Sequence, residues 1–110
     1  MELNKKNIAG IIGRTMVDIV KGDNYLKIYD HIQRLYITDI LIGLTTVTII
    51  SARPGVVIGA KGTTIDKFEE EIKKHFPAIE SVIVKENTWI DNLYPLDPYS
   101  GEFDFEGVDL

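Results

Sequence analysis

An α+β fold with its elements in the order α-α-β-β-α-α-β is predicted by three features of the chain. Apolar residues recur at helical spacing over residues 8–20 and again over 25–35. β-branched residues dominate 38–51. A charged amphipathic stretch after residue 62 is followed by a short apolar run at 81–85.

In the first segment Ile8, Ile11, Ile12, Met16, Ile19 and Val20 form one apolar face, and Gly22 closes it. Asp23 or Asn24 is suited to cap a second helix, in which Tyr25, Ile28, Tyr29, Ile32 and Leu35 line up and which should end near Tyr36. Ile40 and Ile42 alternate before Gly43, and Val47 and Ile49 alternate after Thr46, the pattern of a tight hairpin. Pro54 cannot donate to a sheet ladder but suits a first helical turn, so 54–58 is expected to be a short helix. Thr63 or Thr64 then caps a helix that buries Ile65, Phe68 and Ile72, turns Lys67, Glu70, Glu71, Lys73 and Lys74 to water, and stops at Pro77. Val82, Ile83 and Val84 make a third strand, buried mostly on one face.

The chain has 110 residues, 45% hydrophobic and 26% charged, which describes one small core. A chain of this size buries roughly 65% of its unfolded surface. The absence of cysteine excludes disulfides, iron–sulfur clusters and thiolate metal sites. Lys5 and Lys6 precede an apolar run that Arg14 and Asp18 cut short, so neither a signal peptide nor a membrane span is expected, and the reading is cytoplasmic. The net charge of -5 is unevenly spread: from Asn87 onward there are six acidic and no basic side chains, leaving 12 - 11 = +1 on the rest. Residues 1–86 are therefore expected to form the domain, and 87–110, acidic and rich in aromatics, a poorly ordered tail.

Between the two consecutive helices lies Gly59-Ala60-Lys61-Gly62. Glycines permit positive φ and a close backbone approach, a helix start supplies free N–H groups and a positive dipole end, and Lys61 adds a charge. Val57, Ile58 and Ile65 offer an apolar floor beside it. Phosphate beside an apolar floor suits a nucleotide. A glycine pair alone has a blander reading as a helix C-cap.

The longer string VTIISARPGVVIGAKGTTIDKFEEEI resembles the centre of a type II KH domain, in particular the N-terminal KH domain of bacterial ribosomal protein S3, and the upstream DNYLKIYDHIQRL resembles the helix before that domain's first strand. The resemblance covers roughly residues 16–86. It implies a three-stranded mixed sheet packed on helices, with about four nucleotides of single-stranded RNA, or single-stranded DNA, held beside the GxxG loop. It assigns backbone clamping to Gly59, Ala60, Lys61 and Gly62, with Thr63 at the helix start, and groove lining to Val57, Ile58 and Ile65. Arg53 is a phosphate contact or, as readily, a packing residue under the loop. Lys67 is within helical reach of the same face, where a surface lysine is ordinarily just solvated.

Nothing after Lys85 resembles the second domain of ribosomal protein S3, and the loop holds one basic residue where ribosomal members usually hold two. A free-standing KH protein of modest affinity is therefore expected, with mRNA or ribosomal RNA as partner to regulate or escort. His31 and His75 lack a third ligand at metal spacing, so no metal is expected. No activated nucleophile or Walker loop is present, so neither catalysis nor a cofactor is expected. The faint echo GIIGRT at 10–15 reads as chance. The rival reading is a protein-interaction module on a KH scaffold that no longer binds RNA, with the N-terminal helix and acidic tail recruiting a protein partner; the tail's acids and aromatics also suit occupancy of the RNA groove.

Overall fold

The computed structural model describes residues 1–20 and 25–87. Helix α1 (Lys5–Ile19) starts at Asn4, whose side-chain oxygen accepts the Asn7 N–H at 2.8 Å, and it buries Ile8, Ile11, Ile12 and Met16. It ends at Ile19 with Val20 as its C-cap; Gly22, Asp23 and Asn24, given the stop and the next cap from sequence, lie outside the described residues. Gly10 and Gly13 of GIIGRT sit buried inside α1.

Helix α2 (Tyr25–Arg34) buries Ile28 and Ile32, and Leu35 follows into the core. It stops short of Tyr36. The Leu35 and Tyr36 amides reach back to the carbonyls of Ile32 and Gln33 at 3.1 and 2.9 Å, and Tyr36 then takes φ 46°, the left-handed conformation that ends a helix.

Strands β1 (Ile37–Ile42) and β2 (Thr46–Ser51) form the expected hairpin, closed where the Gly43 amide donates to the Thr46 carbonyl at 2.8 Å. A short helix α3 (Pro54–Ile58), a single 3-10 turn over Ala60–Gly62 and helix α4 (Thr63–His75) lead to β3 (Ser81–Glu86). β3 pairs parallel to β2, so the sheet is mixed, in the order β1-β2-β3. Parallel neighbours need a crossover of this length, and α3 and α4 supply it.

Ile40, Val47, Ile49 and Val82 are buried on the inner face of the sheet together with Phe68 and Ile72 of α4 and Val57 of α3. The opposite face carries a register row, Leu41 beside Thr48 beside Ile83, in which Leu41 and Ile83 are exposed. Lys5 ties α1 to β1 through an ion pair with Asp39 at 2.8 Å. Asn87, the first residue of the expected tail, is bonded to the sheet: its amide donates to the Ser51 carbonyl at 2.8 Å and its side chain to the Thr38 hydroxyl at 2.9 Å.

Candidate nucleic-acid interface

The site begins at Ser51, the last residue of β2, which is wholly buried. Its hydroxyl donates to the Leu35 carbonyl at 2.5 Å and accepts the Arg53 amide at 2.9 Å. One small polar side chain thus fixes the end of α2 to the start of α3. Pro54 occupies the first turn of α3, as its fixed φ and missing N–H favour.

At the far end of α3 the Gly59 amide closes the helix onto the Gly55 carbonyl at 3.0 Å. Gly59 then adopts φ 77° and ψ 175°, a region that only glycine occupies comfortably. Lys61 (φ 57°, ψ 24°) and Gly62 (φ 77°, ψ 12°) are both left-handed, so two consecutive residues reverse the chain before α4. Among the described residues the amides of Ala60 and Lys61 find no acceptor, and they lie at the turn that opens α4. Ala60 and Lys61 are exposed, and no ion pair among the described residues includes Lys61.

Two sequence expectations change here. Neither Thr63 nor Thr64 caps α4, because Gly62 holds that position in the left-handed conformation, with no side-chain cap bond. Thr63 is instead the first helical residue, and its hydroxyl donates to the Ala60 carbonyl at 2.8 Å, bracing the turn. Val57 is buried with 0% exposure in the hydrophobic core and offers a base no surface. The apolar surface of α3 comes from Ile58, as expected, and from Val56, which sequence reading passed over because a five-residue helix has too little periodicity to sort its faces. Ile65 packs partly buried against the core.

Lys67 pairs with Glu70 at 3.9 Å and lines a cleft of about 360 Å³ against α1, with Thr15, Asp18, Ile19 and Glu71. Its acidic neighbours offset its charge and disfavour a phosphate beside it. Arg53 is exposed and holds its guanidinium over the Tyr36 ring, 5.9 Å from the centroid. An acid also stands at the turn: Asp66, in the first turn of α4, has a carboxylate oxygen 4.0 Å from where a Cβ on Gly62 would sit. It complements the helix dipole. Among the described residues no His, Cys, Asp or Glu group could hold a metal ion, and no helix is long and apolar enough to cross a membrane.

The geometry agrees with comparisons to known proteins. The family model described as KH domain matches residues 25–91. Small ribosomal subunit protein uS3 of Cytophaga hutchinsonii is 41% identical over 68 residues, covering 56% of this chain and 27% of that protein. The uS3 proteins of Flavobacterium johnsoniae, 58% identical over 31 residues, and Wolinella succinogenes, 45% identical over 40, match shorter segments, covering 28% and 36% of this chain and 12% and 17% of their own lengths. The matched segments thus span about a quarter or less of the curated relatives. No solved structure matches significantly. With a three-stranded mixed sheet, a glycine turn between two consecutive helices, and a family match over more than half its length, the chain belongs to the KH-domain family and resembles the N-terminal region of uS3.

Proposed function

We propose that this protein binds single-stranded RNA without catalysis, through the turn from Gly59 to Gly62 and the apolar surface of α3. The observation that carries the reading is the turn itself: two amides and a lysine at the start of α4 that have no partner among the described residues. Membership of the KH family supports nucleic-acid binding in general. Backbone N–H groups grip the phosphate, Lys61 supplies the charge, and Val56 and Ile58 provide the surface on which a base lies. The strand is an unpaired stretch of ribosomal RNA, in keeping with the small ribosomal subunit proteins among the relatives, or of messenger RNA. Residues 1–87 carry this grip, and the acidic segment after them modulates it.

The test replaces Ala60 and Lys61 together by Asp. Two negative charges at the phosphate position remove RNA binding, and folding is preserved, because substitutions at exposed positions usually change stability by no more than about 0.5 kcal/mol. A folded double variant with unaltered RNA affinity rules out the turn as the binding site. Crosslinking followed by sequencing of the bound RNA names the target, and an empty result favours the protein-interaction reading. Parallel titrations with RNA and DNA of one sequence measure the part played by the 2′-hydroxyl.

A further inference from the structure

A second concave site lies at the opposite end of α3 from the glycine turn. It is an open surface depression of about 430 Å³ lined by Asp30, Gln33, Arg34, Tyr36 and Arg53. We infer that it is a second nucleotide subsite, taking one phosphate and one unstacked base of the same strand that the glycine turn grips. The inference rests on the RNA-binding reading above and extends it.

Tyr36 is one of two non-glycine residues with positive φ among the described residues, the other being Lys61 in the turn. An aromatic residue in the left-handed region is uncommon and strained, and such strain tends to collect at binding sites. The neighbouring backbone enforces it. The Tyr36 amide donates to the Gln33 carbonyl at 2.9 Å and the Tyr36 carbonyl accepts the Ala52 amide at 3.0 Å, while the Ser51 hydroxyl holds Leu35 beside it. The ring is thereby placed under the guanidinium of Arg53.

That cation–π contact is the platform of the inferred subsite. Bases stack on aromatic rings and on arginine planes alike, and an arginine already ordered on a ring loses less freedom when a base joins it. Arg34 adds a second guanidinium, and no ion pair among the described residues includes either arginine. Asp30 is the opposing charge; two guanidinium groups against one carboxylate leave the depression net positive, and the carboxylate can accept from a base amino group, as the Gln33 amide can donate or accept.

The spacing suits one strand. Five residues of α3 separate the two sites, about 7.5 Å at the helical rise. Val56, one turn from Arg53, exposes apolar surface between them. The feature is local to this chain's own geometry: it needs Tyr36, Arg34 and Arg53 together, and two of the three lie outside the segment around the glycine turn.

The test measures affinities of the full chain for mixed-sequence RNA of about four and about ten nucleotides, the shorter being the span of one KH grip. Arg34→Gln and Tyr36→Asn are compared with the parent; asparagine accepts the left-handed backbone, so the second variant keeps its fold. Each should weaken the longer RNA on the order of tenfold, with much less effect on the shorter, as loss of a base stack predicts. In Arg34→Gln the log–log salt slope for the longer RNA should also become shallower by roughly 0.7, one phosphate contact fewer on a single strand. Arg53→Lys should keep that slope and lose affinity, since it retains the charge and not the stack. Equal losses on both lengths, or none on either, overturn the second subsite. If the Ala60→Asp, Lys61→Asp protein loses RNA while these variants bind the longer strand like the parent, the subsite is wrong and the turn reading stands. If the parent binds neither RNA, the turn reading fails and the subsite with it.

Discussion

Gly59 and Thr64 touch across the turn so closely that a Cβ on Gly59 would lie 2.7 Å from the Thr64 Cβ and nearer still to its hydroxyl oxygen. The two glycines of the motif are therefore unequal. Gly59 combines that collision with a backbone region closed to side chains, whereas a Cβ on Gly62 meets nothing nearer than Asp66 at 4.0 Å, in a left-handed conformation that asparagine tolerates. Gly59→Ala should destabilise by about 3 kcal/mol or more, and Gly62→Ala by about 1–2 kcal/mol. Gly62→Asn should cost less than Gly62→Ala. Urea denaturation checks the order, and equal costs at both positions would contradict it.

Lys61 holds the only side chain in the turn with positive φ. Its conformation costs about 1–2 kcal/mol, offset in a glycine by about 0.5–1 kcal/mol of extra unfolded-state entropy. Lys61→Gly should thus hold stability or raise it by up to about 1 kcal/mol while weakening RNA binding. Binding loss together with a clear stability loss would mean that the lysine also supports the fold.

Asp66 sits in the first turn of α4, beside Gly62, where its charge opposes that of Lys61 at the proposed phosphate position. Asp66→Asn should strengthen RNA binding by about 0.5–1 kcal/mol, several-fold, most visibly at low salt. Removing the carboxylate from the first turn should cost α4 about 0.3–1 kcal/mol. Titrations at two salt concentrations with a thermal melt read both effects, and weaker binding would make Asp66 a ligand contact.

The element order, the hairpin and the glycine turn were legible in the sequence because each follows from a period or a turn residue. Pro54 to Ile58 emerged as α3 for that reason. What was not legible depends on contacts between distant segments. Ser51 resembles any polar strand end until the fold brings Leu35 to it. Val57 and Val56 are equivalent as letters, and only the packing of α3 buries one and exposes the other. The left-handed Tyr36 carries no sequence signal, since the residue types that announce such a conformation are glycine and asparagine. Residue type favours Thr63 or Thr64 as the cap, yet Gly62, with its positive φ, takes that position and Thr63 becomes the first helical residue.

Acid should loosen the tie between α1 and β1. Burial pushes the Asp39 carboxyl up, but the hydrogen bond from Lys5, the Ile40 amide and the Lys5 charge together bring it below its ordinary value of 3.8. A depressed folded value stabilises above pH 3.8 and is lost as the pH falls through the folded value. Both partners are substantially exposed, so the contribution is at most about 1 kcal/mol. Asp39→Asn should lower stability by that order at neutral pH, and its curve should converge on the parent's below pH 3.8. Parallel curves throughout would show that the ion pair contributes nothing.

The acidic segment after Asn87 lies outside the described residues, but its charge is fixed by sequence. Removing residues 88–110 takes away six acids and no base, changing the chain from -5 to +1. The cut is placed after Asn87 because that residue is bonded to β1 and β2. RNA affinity should rise on truncation, most at low salt, where repulsion between like charges is least screened. Repulsion and occupancy of the site are separable, because replacing Tyr99, Phe103 and Phe105 by Ser keeps every charge. A gain from that replacement assigns the aromatics to the RNA surface, whereas a gain on truncation alone assigns the effect to the acids. Unchanged affinity at every salt concentration removes the segment from RNA binding and turns the search to a protein partner for it.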